Sequence, residues 1–260
     1  MFVPEEECIP SSFIHKLSDG KLDVPTEVRT FGQPKLKTLY MNRTLSILIG
    51  LCLPLAAWAQ DATVISPDNR LRVNVTVKEG KPVYGVTYQS ATILEDSPLG
   101  FVANVGDFTR GLTFAGAERK TLDETYRLDR IKQSEVHYRA NELAVSLKDA
   151  AGRTFDVVFR VSNNDVAFRY ELPRFGETGS IVIEREATGF DFPEGTTTFL
   201  TPQSDAMIGW KRTKPSYEEV YKPDAPMSER PQYGHGYTFP GLFHVRGSHR
   251  ALVSETGVDR

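Results

Sequence analysis

From Leu71 onward, apolar residues recur at every second position. Leu71, Val73, Val75 and Val77 alternate with Arg72, Asn74, Thr76 and Lys78, the signature of a strand buried on one face. Glu79-Gly80-Lys81 reads as a turn, and Val83, Tyr84, Val86 and Tyr88 continue as a second strand, which predicts a hairpin. The pattern returns at Leu143, Val145 and Leu147, turns through residues 149–152, and resumes at Phe155, Val157, Phe159 and Val161. After a Ser162-Asn163-Asn164-Asp165 turn comes a strand with Val166, Phe168, Tyr170 and Leu172. Residues 181–186, 196–200 and 239–245 add short β-rich runs. The polar stretch 120–133 reads either as a short turn of helix or as a strand edge.

No window of a dozen residues carries a 3.6-residue period. Many short strands separated by Gly, Asn and Asp turns predict an all-β sandwich or barrel, with residues 60–260 as one domain. The composition supports this: 40% of the 260 residues are apolar, enough for a sizeable core. A net charge of −3, with signs interspersed, excludes the dense basic stripe a nucleic-acid partner needs. Both cysteines, Cys8 and Cys52, precede Gln60, so the domain has neither a disulfide framework nor thiol chemistry.

Residues 41–60 have the layout of a secretory signal. Arg43 supplies the positive start, Leu45 to Leu55 the apolar stretch, and Ala57-Trp58-Ala59 a small-residue cleavage site that leaves Gln60 first. The run is too short for a stable membrane span. Residues 1–40 hold four prolines and no sustained periodicity. They are expected to be a non-native or disordered leader, with Met41 as the true start. Export to the periplasm or medium follows from that reading.

Chemistry-bearing motifs are sparse. His235, His244 and His249 match no metal-ligand spacing. Glu184 and Glu186 share a strand face, where a solvated face competes with an ion-pair or metal role. No phosphate loop, nucleophile elbow or zinc helix is present. The segment from Trp210 to Tyr221 is aromatic, charged and turn-rich. Its rings suit stacking on sugars and its carboxylates suit a hard cation, though a surface loop explains the composition as well.

Three strings resemble one family. Ser66-Pro67-Asp68-Asn69-Arg70-Leu71, Asn164-Asp165-Val166-Ala167-Phe168-Arg169-Tyr170 and Pro215-Ser216-Tyr217-Glu218-Glu219-Val220-Tyr221 occur in the order seen in glycoside hydrolase family 97. That family holds α-glucosidases and α-galactosidases exported by Gram-negative bacteria. The resemblance covers roughly residues 64–260. It implies an N-terminal β-supersandwich of the galactose-mutarotase-like type, mainly antiparallel, ahead of a catalytic (β/α)₈ barrel. It also implies an active-site calcium with one ligand from this domain, here Glu218 or alternatively Glu219. Trp210 and Tyr217 become candidate contacts to an oligosaccharide with α-linked glucose or galactose.

A barrel of that kind takes about 250 residues. The chain is therefore expected to hold the sandwich without its catalytic barrel, and to be inactive alone. Its face toward that barrel is expected to be apolar and exposed. Two other readings stay open. A free-standing sugar-binding sandwich would use a groove with Trp210, Tyr217, Tyr221, Tyr233 and Tyr237. A mutarotase-like enzyme would pair His235 or His244 with Glu184.

Overall fold

A computed structural model describes residues 61–130, 134–175, 180–203, 221–232 and 236–255. The proposed leader, the signal segment and the stretch holding Trp210, Tyr217, Glu218 and Glu219 lie outside these residues. Every regular element among the described residues is a strand. The first sheet is a meander of β1 (Asp61–Ile65), β2 (Leu71–Lys78), β3 (Lys81–Tyr88) and β4 (Ala91–Pro98).

The β2–β3 hairpin has the register that the alternation predicts. Lys78 faces Lys81 across a two-residue turn, and Glu79 and Gly80 take φ values of 52° and 77°. Positive φ at both positions marks the primed turn whose twist matches the flanking strands. Leu71, Val73 and Val75 are fully buried, opposite Tyr88, Val86 and Tyr84. Val83 departs from the expectation by facing the other side, because Pro82 takes the inward position before Tyr84.

β5 (Phe101–Ala103) and β6 (Gly106–Asp107) follow as short strands. The second sheet pairs β7 (Thr113–Arg127), β8 (Glu135–Lys148), β9 (Thr154–Val161) and β10 (Val166–Glu171), all antiparallel. Residues 120–127 are thus strand, not helix. Their cross-strand partners on β8 satisfy the backbone, so a polar sequence holds a β conformation there.

β11 (Ile183–Glu186) pairs with β5 to form the third sheet, and β12 (Thr197–Pro202), β13 (Ala225–Pro226), β14 (Tyr237–Val245) and β15 (His249–Val253) form the fourth. The first two sheets meet through Tyr84, whose ring lies 5.7 Å from Phe159 and 5.5 Å from Phe168. Phe101 brings the third sheet into the same core against Phe108, Phe155 and Tyr170. The fourth joins through Val245, Ala251 and Val253. The whole is an antiparallel β-sandwich with added small sheets.

One charged group is buried in the second sheet. Glu142 on β8 is 6% exposed, with Arg160 Nε 2.5 Å from one carboxylate oxygen and Lys120 Nζ 2.9 Å from the other. Burial alone would raise its pKa, but hydrogen bonds from Arg160 and Lys120 outweigh it and hold the carboxyl below its ordinary 4.5. The ionised form is therefore favoured by folding. Its contribution is present above pH 4.5 and is lost as pH falls through the lowered value. Glu142→Gln is expected to cost about 2 kcal/mol at neutral pH and to flatten part of the acid dependence. Urea titrations of both proteins at neutral and acid pH check this; parallel pH curves would refute it.

Candidate functional site

Gln203 and Tyr221, the described residues on either side of 204–220, both contact the fourth sheet. The chain leaves β12 at Gln203, whose backbone N–H donates to the carbonyl of Gly236 at 2.9 Å. It is described again from Tyr221, whose ring centroid lies 4.8 Å from that of Phe199 on β12. Trp210, Tyr217, Glu218 and Glu219 fall in 204–220, outside the described residues.

Against the fourth sheet is an apolar hollow of about 270 Å³, lined by Phe190, Phe192, Leu200, Met227, Tyr237 and Phe243, with Glu229 also in its lining. Phe192 and Phe243 stack at 4.1 Å and form one wall. The Tyr237 hydroxyl donates to the Glu229 carbonyl at 3.1 Å, and Lys222 Nζ lies 3.2 Å from both Glu229 carboxylate oxygens. Partial burial, and then the Glu229 charge, push the Tyr237 pKa up. Across β12, Asp224 accepts from Thr197 Oγ1 at 3.2 Å and lies 3.6 Å from His244 Nδ1.

This arrangement is suited to binding. Aromatic walls with a few polar rim groups fit the apolar face and hydroxyls of a sugar. Glycoside hydrolysis takes two opposed carboxyl groups, and the only carboxylate among the hollow's described residues is Glu229, already paired with Lys222. A second, more open concavity of about 420 Å³ lies over β2–β4 between Arg72, Asn74, Thr87, Thr92 and Glu95, with Gly85 among its lining residues. It has no aromatic platform.

None of the other described candidates is among the hollow's lining residues. Glu184 and Glu186 are exposed on β11, and Glu186 accepts from Thr188 Oγ1 at 2.6 Å. His244 is partnered with Asp224 and not with Glu184, while His249 sits edge-on to Tyr88 at 6.2 Å. His235 and Tyr233 lie outside the described residues. Among the described residues no group of three or more His, Cys, Asp or Glu side chains comes together as a metal site. Calcium wants six to eight oxygens, so the described part of the domain does not fit that ion by itself. Phe190, Phe192, Leu200 and Met227 escaped the sequence reading. The Phe190-Asp191-Phe192 alternation was the available signal.

Among the described residues the fold is an antiparallel β-sandwich without a helix, with an apolar hollow against its fourth sheet. The family model described as "Glycosyl-hydrolase 97 N-terminal" matches residues 64–260. The chain belongs to glycoside hydrolase family 97, through its N-terminal domain. A "Probable retaining alpha-galactosidase" of Streptomyces bingchenggensis is 30% identical over 225 residues, covering 84% of this chain and 32% of that protein. The crystal structure of a β-arabinopyranosidase is 58% identical with a TM-score of 0.73, covering 77% of this chain and 32% of that one. A family 97 enzyme from a Pseudoalteromonas species, in complex with panose, shares the fold at 23% identity and a TM-score of 0.59, over 70% of this chain and 26% of its own. The chain thus spans about a third of the length of the relatives it matches most extensively.

Proposed function

We propose that this domain is the N-terminal sandwich of an exported, calcium-dependent glycosidase, where it supports the catalytic barrel, contacts the oligosaccharide and supplies one calcium ligand. The family match over residues 64–260 carries this reading. The aromatic lining of the hollow supports the sugar contact, and Trp210 and Tyr217 are proposed as further aromatic partners. Glu218, or Glu219 beside it, gives one oxygen to a calcium ion whose other ligands come from outside the described residues. Residues 41–59 serve as the cleaved signal.

The neighbours narrow the substrate class. An arabinopyranose of the L series is a galactopyranose without its C6 hydroxymethyl group. With its arabinose in the L form, the β-arabinopyranosidase named above shares one ring stereochemistry with the α-galactosidase. The substrate proposed here is a galacto-configured glycoside, an α-galactoside or a β-L-arabinopyranoside, in preference to an α-glucoside.

The test uses the natural gene product, purified from its source and assayed on aryl α-galactoside, β-L-arabinopyranoside and α-glucoside. The first two are expected to be cleaved and the third poorly; preferential cleavage of the α-glucoside overturns the substrate assignment. The 260-residue chain alone is expected to be inactive. Glu218→Gln is expected to weaken calcium binding at least about tenfold by calorimetry, with activity restored by excess calcium. Unchanged affinity in both Glu218→Gln and Glu219→Gln sinks the ligand assignment.

The aromatic hollow also favours a second reading, a carbohydrate-binding sandwich that acts without catalysis. A natural product of this size alone, binding galactosides without cleaving them, would establish it.

A further inference from the structure

The longest hairpin of the domain outruns the sheet it belongs to. β7 and β8 stay paired from Thr113–Lys148 to Arg127–Glu135, but β9 accompanies β8 only as far as Asn141, opposite Val161. Beyond Asn141, six cross-strand pairs, from Leu122–Ala140 to Arg127–Glu135, continue as a two-stranded ribbon. At about 3.4 Å per residue this arm reaches roughly 20 Å past the sheet.

Its two faces differ sharply. Asp123, Thr125, Arg127, Glu135, His137 and Arg139 are all exposed on one, where Asp123 accepts from His137 at 2.5 Å and from Arg139 at 3.1 Å. The other carries Leu122, Tyr126, Leu128, Val136, Tyr138 and Ala140, interrupted by Glu124. Leu122 and Ala140 are buried at the base, whereas Tyr126, Leu128 and Val136 farther out are only half-buried. Burial, followed by the nearby Asp165 charge, pushes the pKa of the Tyr138 hydroxyl up to about 12.

A two-stranded ribbon standing in water is marginal, and beyond Asn141 no described strand pairs with either of its edges. Period-two amphipathicity is what a sheet shows when one face is covered. Solved and curated relatives extend over about three times the length that this chain matches, which supplies enough chain to cover it.

We propose that the apolar face of this arm, Tyr126, Leu128 and Val136, is a docking surface for the remainder of the longer family polypeptide, and clamps the sandwich onto its catalytic module. The inference rests on the proposed reading of the chain as the front domain of a longer enzyme.

The test compares amide hydrogen exchange of residues 122–139 in the 260-residue chain and in the longer gene product. Exchange is expected to be at least about tenfold slower in the longer product. Leu128→Ser with Val136→Ser is expected to abolish that protection, while Thr125→Ala and Arg127→Ala on the opposite face leave it. Equally fast exchange in both proteins overturns the docking surface, even if the longer product cleaves galactosides as proposed. Protection in the 260-residue chain that grows with its concentration identifies a second copy as the occupant and overturns it too. A natural product no longer than this chain, read directly from its mass, overturns the front-domain reading and the clamp with it.

Discussion

Truncating Phe101 to alanine is expected to lower the unfolding free energy of the domain by about 3–5 kcal/mol. Phe101 is 2% exposed and lies on a three-residue strand that has few backbone pairs of its own. Its ring is 4.9 Å from Phe108, 5.2 Å from Phe155 and 5.4 Å from Tyr170, in tilted and edge-on contacts. Those rings come from separate parts of the chain, so no single element can collapse to fill the void. The loss is the transfer free energy of the ring plus the cavity left behind. Against a typical domain stability of about 5–15 kcal/mol, that is a large share. Phe101→Leu retains most of the volume and is expected to cost about half as much. Phe199→Ala, which removes a ring 39% exposed on β12, is the control and is expected to cost under about 1 kcal/mol. Urea denaturation of the three variants ranks them; a Phe101→Ala loss no greater than that of Phe199→Ala would refute the account of the core.

The same cluster shows where sequence pattern stops being informative. The hairpin β2–β3 and the β8–β9–β10 meander are legible, because each strand buries one face against a neighbour close in sequence. In the third sheet the strand within 181–186 is legible, but its partner is not. β11 pairs Ile183 with Ala103 across about eighty residues, and its own side chains are all exposed. Such pairing leaves no periodicity to read. β7 was legible only as one of two alternatives: beyond Leu122 its apolar positions are half-buried, and Glu124 interrupts them.

The family-like strings divide in a similar way. Ser66 to Leu71 is a turn built on itself: Asp68 accepts from Ser66 Oγ at 2.6 Å and from Arg70 Nε at 2.6 Å, and Asn69 takes a φ of 63°. Burial opposes ionisation of Asp68, and these hydrogen bonds outweigh it. The second string ends at Tyr170, whose hydroxyl accepts from the Gly100 N–H at 2.8 Å and lies 2.7 Å from Thr188 Oγ1. Both strings therefore mark the fold. The string with candidate chemistry, Pro215 to Tyr221, lies outside the described residues except for Tyr221. The apolar hollow brings Phe192 together with Phe243, fifty-one positions apart, and only the tertiary structure shows that.

Gly100, the residue that Tyr170 grips, is expected to tolerate no side chain. Its φ is +124°, and a Cβ there would sit 2.4 Å from the Phe108 carbonyl oxygen and 3.0 Å from the Thr109 Cα. Both are backbone atoms, and Phe108 is held in place by its own N–H bond to the Phe101 carbonyl at 2.9 Å. The Gly100 carbonyl also accepts from the Ala187 N–H at 2.8 Å, so relaxing the clash would disturb the start of β5 and the exit of β11 together. Gly100→Ala is expected to cost about 3 kcal/mol or more, the sum of a disfavoured backbone conformation and displaced main chain. Gly111 separates the two contributions. Its φ is +67°, and nothing lies within 4 Å of an added Cβ, so Gly111→Ala carries the conformational cost alone, about 1 kcal/mol. Thermal and urea unfolding of the pair distinguishes them. Equal losses would mean that φ alone governs Gly100; a markedly larger loss at Gly100 would mean that the close approach of the Phe108 backbone requires glycine there.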